Sequence, residues 1–268
     1  MQIPEIGFIG AGKMGGAIMR RLVNQKLLPP SKIWICDRLP ERMEPLKEMG
    51  VNLSFSIQEV ARKTTFIILA VKPQDIKEVL KELRPNIRSS HLLISIAAGI
   101  TTNYIIGLLK KKIPVVRVMP NTAALIGESI SAFSSSGKLT PSQLILIKKL
   151  MGVLGEIIEV HENQLDAVTG LSGSGPAYVY SFILGLIQGG VEVGLSQELA
   201  TKLAIQTTLG ATFMAKKTND SLENLRSAVV SPGGTTAEGL KILQQAGLEQ
   251  TLALAVKQAT QRAKELSK

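Results

Sequence analysis

Through the first 160 residues, short apolar runs alternate with stretches of helical periodicity. Residues 6–9, 33–36, 66–71, 92–96 and 115–119 are dense in Ile, Val, Leu and Phe, the pattern of buried strands. Between them, residues 14–23, 41–49, 74–83 and 103–109 carry apolar positions at helical spacing, and so predict helices. The alternation continues with a strand at 130–133, a helix from Pro141 to about Leu154, and a strand at 157–160. Strands alternating with helices in this way predict an α/β fold built on a parallel sheet.

Beyond about residue 162 the strand signals stop. Val179, Phe182, Ile183, Leu186, Ile187 and Val191 recur at helical spacing, and further helices are predicted over 198–215, 222–229, 237–245 and 248–266. The chain is therefore expected to form two domains, residues 1–162 and an all-α domain of residues 163–268. Several C-terminal helices are apolar over much of their circumference. Such helices bury their excess face against something else, and a second copy of the chain is the expected partner.

Composition and charge narrow this picture. With 45% hydrophobic residues the chain can bury a core. The formal net charge of +10 lies wholly in residues 1–160, which hold 22 basic and 12 acidic side chains, whereas the remainder is balanced. An anionic partner is therefore expected in the first part. No aromatic-rich basic motif, helix-turn-helix or zinc knuckle accompanies the charge, so nucleic acid is not the expected partner. The single cysteine, Cys36, excludes an internal disulfide and reads as a small buried side chain. The two histidines, His91 and His161, form no metal-ligand spacing. The densest apolar stretch, residues 177–187, falls short of the roughly 20 residues a membrane-spanning helix needs. The N-terminus has no basic and apolar leader pattern, and a soluble cytoplasmic protein is expected.

The most specific chemistry lies at the two ends of the chain. Gly10, Gly12 and Gly15 form G-x-G-x-x-G between a predicted strand and a predicted helix, the context in which it binds a dinucleotide. Gly10 would allow the tight turn, Gly12 close approach of the backbone to a pyrophosphate, and Gly15 close packing of helix on strand. The second strand ends in Asp37-Arg38, which leaves the cofactor open: an acid there reads a ribose 2′-hydroxyl and an arginine a 2′-phosphate. The ends of two further strands, Ala70-Val71-Lys72-Pro73 and Ala97-Ala98-Gly99-Ile100, face the same crevice. Near the other end, Ser231-Pro232-Gly233-Gly234-Thr235-Thr236 leads into a helix with Thr235-x-x-Glu238 as an expected capping box, and offers N–H groups and hydroxyls to a small anion. The segment Leu171-Ser172-Gly173-Ser174-Gly175-Pro176 precedes a long helix and is expected to serve the architecture first.

Together these segments resemble pyrroline-5-carboxylate reductases over essentially the full length. The matching runs are GFIGAGKMG at 7–15, AVKP at 70–73, AAGIT at 97–101, MPNT at 119–122, DAVTGLSGSGPAY at 166–178 and SPGGTT at 231–236. The resemblance implies a Rossmann-like dinucleotide-binding domain followed by an all-α dimerisation domain. It also implies NAD(P)H-dependent reduction of a small cyclic imine to proline in amino-acid biosynthesis. Arg38 and the local positive charge make NADPH the expected donor, with NADH as the alternative that Asp37 leaves open. Thr236 is implied near the imine nitrogen, Gly234 and Thr235 at the substrate carboxylate, Ser231 in support of the loop, and Glu162 beside the proline site. Lys13, Met14, Val71, Lys72, Pro73 and Ala98 are implied at the cofactor, and a homodimer, often assembled into a ring of dimers, is implied for the assembly. Ala123 and Gln188 depart from the family pattern, where proline is usual and an acid is common, and Ile57 stands where some members have an asparagine near the adenine end. Hydroxyacid dehydrogenases of similar plan carry G-x-x-G-x-G-x-x-x-K; here Gly170, Gly173 and Gly175 are followed by Val179 at the lysine position, which argues against alcohol oxidation.

Overall fold

The computed structural model describes residues 4–267. The chain divides into two units. One runs up to Ser174 and takes in the segment from Lys257 onward; the other is Gly175–Val256.

The first unit is an eight-stranded sheet of order β3-β2-β1-β4-β5-β6-β7-β8. Its strands are β1 Ile6–Ile9, β2 Ile33–Cys36, β3 Asn52–Leu53, β4 Phe66–Leu69, β5 Leu92–Ser95, β6 Val115–Met119, β7 Ser129–Ser135 and β8 Gly155–Glu159. Strands β1, β4 and β5 are buried at every position, because helices cover both faces and polar alternation would leave unsatisfied groups inside. One face packs Ile6, Phe8, Ile68, Ile94, Val116 and Phe133 into a core shared with α1 (Lys13–Asn24). Three helices follow α1: α2 (Glu44–Lys47), α3 (Ile57–Lys63) and α4 (Ile76–Leu83). The opposite face packs Ile9, Ile67, Leu69, Leu93 and Val115 against α4 and α5 (Thr102–Leu109). Strand order reverses between β1 and β4, and the crevice beyond the carboxyl ends of these strands is where an open α/β sheet takes its ligand.

The expected α/β plan holds, with three differences. Strand β7 runs antiparallel to β6, and β8 follows β7, so the last two strands oppose the first six. A period-two apolar pattern is the same read in either direction, so it carries no strand direction. The edge strand β3 and helix α3 were not among the predicted elements. The predicted helix at 41–49 is a 3₁₀ turn, Pro40–Arg42, followed by one turn of α2, because prolines at 40 and 45 are tolerated only at helix starts. Helix α6 (Pro141–Met151) is closed at its start by a complete capping box between Thr140 and Gln143. After it, α7 (Leu165–Val168) leads into a π-helical segment, Thr169–Gly173.

The second unit holds α8 (Gly175–Glu192), α9 (Gln197–Lys217), α10 (Leu222–Ala228), α11 (Thr235–Gln245) and the first part of α12 (Leu248–Leu266). Pro176 sits in the first turn of α8, where its missing N–H costs nothing. Ile187 of α8 packs on Ala200 and Ala204 of α9, a small core for five helices. Leu184, Ile205, Phe213 and Leu254 remain exposed, Leu184 at 65%. Among the described residues no helix is long and apolar enough to cross a membrane.

Candidate functional site

The turn after β1 is built by three close approaches. Gly10 has φ +107°, and its N–H donates to the Cys36 carbonyl at 2.8 Å while Ala70 N–H donates to the Ile9 carbonyl at 2.8 Å. These bonds tie the ends of β1, β2 and β4 together, and any side chain at position 10 would strike the Ala70 carbonyl. A Cβ at Gly15 would run into the Gly10 carbonyl oxygen, so α1 can lie on the turn only with glycine there. At Gly12 the place a Cβ would take is open space, which leaves the backbone bare toward the groove. Gly12 is also the N-cap of α1 and supplies no capping side chain. The first N–H groups of the helix therefore have no internal acceptor and favour an anion.

This turn opens into a groove of about 1030 Å³ lined by Gly10, Gly12, Lys13, Met14, Asp37, Arg38, Val71 and Lys72, all from the expected cofactor set. Gly15 lies buried beneath it, while Pro73 and Ala98 are not part of the lining. The groove also takes in Arg20, Arg42, Phe55 and Ile96, which sequence reasoning did not single out. Its five cations, Lys13, Arg20, Arg38, Arg42 and Lys72, meet the four carboxylates of Asp37, Asp75, Glu78 and Glu82. The strong positive charge of the first part is therefore mostly solvated surface outside the groove.

The two candidate cofactor readers at the end of β2 have different tasks. The Asp37 carboxylate accepts the Ala11 N–H through Oδ2 at 2.7 Å and the Leu39 N–H through Oδ1 at 2.9 Å, with Arg42 Nη1 3.8 Å from Oδ1. It is turned inward to brace the glycine turn. The Arg38 side chain is 82% exposed and held only loosely, with Nη1 3.9 Å from Asp75 Oδ1. Burial, reinforced by the neighbouring Asp37 charge, pushes the Cys36 thiol up to about 11. At neutral pH Cys36 is thus a protonated, inert side chain, as expected for a small buried residue.

Glu162 begins the turn before α7, and both of its carboxylate oxygens are engaged. Oε1 accepts the Thr102 N–H at 2.7 Å, and Oε2 accepts the Thr102 hydroxyl at 2.6 Å. Glu162 thereby caps the start of α5. Arg117 of β6, only 3% exposed, stands behind this pair, with Nη1 3.8 Å from Glu162 Oε1 and Nη2 donating to Asp166 Oδ1 at 3.1 Å. Asp166 Oδ1 also accepts the Ser267 hydroxyl at 3.0 Å. A charged residue inside the apolar run Val-Val-Arg-Val-Met was the sequence signal for this network.

In the second unit, Ser231, Gly234, Thr235 and Thr236 come together in one turn. Gly234 N–H donates to the Ser231 carbonyl at 3.0 Å, and Gly233 has φ +69°, as a type II turn with Pro232 in its second place requires. A Cβ at Gly234 would run into Ser231 Oγ, so the serine folds over the turn. Gly234, in extended conformation, is the N-cap of α11 and offers no capping side chain. The expected capping box from Thr235 to Glu238 is therefore not formed: Thr235 already lies inside the helix, which moves Glu238 one place too far along. The consequence is a helix start whose first N–H groups carry no side-chain cap, with the half-buried Thr236 in its first turn.

Strand order, glycine turn and groove define the first unit as a dinucleotide-binding α/β domain of the Rossmann type. Comparison with known proteins specifies it further. Residues 162–266 match the family model for pyrroline-5-carboxylate reductase dimerisation, and residues 5–99 match that for NADP oxidoreductase, coenzyme F420-dependent. The pyrroline-5-carboxylate reductase of Arabidopsis thaliana is 40% identical over 266 residues, covering 98% of this chain and 95% of its own. The solved structure of a pyrroline-5-carboxylate reductase from Coxiella burnetii superposes with TM-score 0.93 at 34% identity, covering all of both chains. The Plasmodium falciparum pyrroline carboxylate reductase, solved with NADP bound, gives 0.90 at 33% identity, again over the whole of both chains. The chain belongs to the pyrroline-5-carboxylate reductase family.

Proposed function

We propose that this protein reduces the cyclic imine 1-pyrroline-5-carboxylate to L-proline, with NADPH as preferred hydride donor. The observation that carries this reading is the 231–236 turn, which presents bare helix N–H groups and a threonine hydroxyl together at the start of α11. A carboxylate suits those N–H groups, and an imine nitrogen suits the hydroxyl. The groove fits the cofactor, since uncapped N–H groups and an open glycine backbone are what a pyrophosphate needs.

When bound, NADPH supplies a hydride for the C=N carbon. The chain has little else to provide, because a protonated pyrroline nitrogen already makes that carbon electrophilic and the protein's task is positioning. Thr235 and Gly234 hold the carboxylate through the backbone, Ser231 keeps the turn closed, and the Thr236 hydroxyl lies at the ring nitrogen, where it can donate to the lone pair that forms as the hydride adds. Glu162, the acid assigned to the proline site, holds Thr102, directly after the 97–101 segment that contains Ala98, through both carboxylate oxygens. Lys13, Met14, Val71 and Lys72, which line the groove, would contact the dinucleotide, and the resemblance adds Pro73 and Ala98 from outside its lining. In functional terms residues 1–162 form the cofactor domain and residues 163–268 the substrate-binding and dimerisation domain. The exposed apolar helix faces pair two chains into a homodimer, and dimers assemble further into a ring, in the cytoplasm. Oxidation of NADPH, followed at the nicotinamide absorbance with pyrroline-5-carboxylate, tests the activity. No proline formed with either NADPH or NADH would overturn it.

The cofactor preference rests on Asp37 being occupied. Its oxygens already accept Ala11 and Leu39, so the ribose side of the groove faces Arg38 and Arg42 rather than a free carboxylate. Arg38→Ala is expected to raise the KM for NADPH about tenfold, the loss of one charge-assisted phosphate contact, and to leave that for NADH within about twofold. An equal change for both cofactors would remove Arg38 from the 2′-phosphate site.

A further inference from the structure

Phe55 is the most exposed large apolar side chain of the first unit among the described residues, at 76%, yet both of its neighbours are pinned. Ser54 is buried; its N–H donates to the Ile35 carbonyl at 2.8 Å, prolonging the β2–β3 pairing, and its hydroxyl lies 2.6 Å from Glu59 Oε2. Ser54 Oγ also accepts the Ser56 N–H at 3.1 Å, and Ser56 Oγ caps α3 by accepting the Glu59 N–H at 3.2 Å. The backbone on each side of Phe55 is thus held by a closed set of bonds, and the phenyl ring is presented outward. The place it occupies is the wall of the nucleotide groove, which it shares with Arg38, Arg42 and Ser56.

We propose that Phe55 is the stacking platform for the adenine ring of the dinucleotide, a proposal that rests on the dinucleotide-binding reading above. The order of the strands selects the adenine end. The pyrophosphate belongs at the β1–α1 turn, the adenosine ribose at the end of β2, and β3 lies one strand further toward the sheet edge. A ligand part that continues past the ribose in this direction is the base. Adenine is flat and has a π-face, which a rigid phenyl ring matches without reading its hydrogen-bonding edge. The guanidinium groups of Arg38 and Arg42 on the same wall suit both a phosphate and an aromatic face. The resemblance marks the adenine end only at position 57, where this chain has Ile57, and Phe55, two residues before it, is not among the residues it implies.

The test uses the full-length protein and three probes: NADPH, adenosine 2′,5′-bisphosphate, which has no nicotinamide, and reduced nicotinamide mononucleotide, which has no adenine. In equilibrium titrations Phe55→Ala should weaken both NADPH and the bisphosphate about tenfold, the worth of one base stack. Phe55→Tyr, which keeps the ring, should bind both within about twofold of wild type. The KM for the mononucleotide should be the same in all three proteins. Unchanged bisphosphate binding by Phe55→Ala would overturn the proposal, as would a parallel loss for the mononucleotide, which would mark a distorted groove. Failure of the wild-type protein to bind NADPH and the bisphosphate would instead overturn the dinucleotide reading itself, and this proposal with it.

Discussion

Thr236→Ala is expected to lower turnover about a hundredfold and to leave the Kd for NADPH within about twofold of wild type. The hydroxyl lost is the only side-chain polar group in the first turn of α11 that is assigned to the imine nitrogen. The backbone N–H groups assigned to the carboxylate are unaffected by the change. The substrate KM should therefore move less than kcat, since an interaction that matters most as the nitrogen changes hybridisation appears in turnover. Thr236→Ser retains a hydroxyl and should recover most of the rate. The groove at Gly10–Gly15 belongs to the other unit and shares no residue with this turn, so cofactor titration is an internal control. Wild-type turnover in Thr236→Ala would remove Thr236 from the mechanism.

Arg117→Met is expected to destabilise the protein by about 3 kcal/mol, read as a lower urea midpoint at fixed protein concentration. The guanidinium is buried in the sheet, in register with Ser95 on β5 and Ser134 on β7, and faces the carboxylates of Asp166 and Glu162. Removing the cation leaves Asp166, whose side chain is largely buried, without its countercharge, and weakens the hold of Glu162 on Thr102. The value lies at the lower end for a buried pair because Glu162 still meets solvent. Adding Asp166→Asn to Arg117→Met should recover part of the loss, since the carboxylate no longer has to be buried as a charge. A loss under about 1 kcal/mol in the single variant would show that the network contributes no more than a surface pair does.

The features legible from the sequence were those set by local chain geometry. Gly10 and Gly15 could be given separate roles because a tight turn and a close helix approach each exclude a Cβ, whatever the rest of the fold does. The apolar runs placed the long strands and helices because burial on both faces of a sheet leaves no other pattern. Ser56-x-x-Glu59 was a legible helix start that would have found α3 and set Phe55 just ahead of it. Its Ser56 cap is formed, but the Glu59 side chain goes to Ser54 rather than back to the cap. At Thr235 the same kind of signal misled, because Gly234 took the extended cap conformation one residue earlier.

By itself, then, the sequence determined the α/β-then-helical plan, the glycine turn, the end of β4 at the groove and the family, whereas residues 97–100, expected at the same crevice, are not in its lining. All of these follow from side chains and backbone within a few residues of one another. Tertiary structure alone bonds Asp37 to Ala11, 26 residues away in the chain, since only folding brings the two together. It also turned β7 against β6, engaged Glu162 with Thr102 and Arg117, and set Phe55 on the groove wall. Each depends on partners far apart in sequence, and spacing along a chain does not encode which distant groups will satisfy one another's hydrogen bonds and charges once water is excluded.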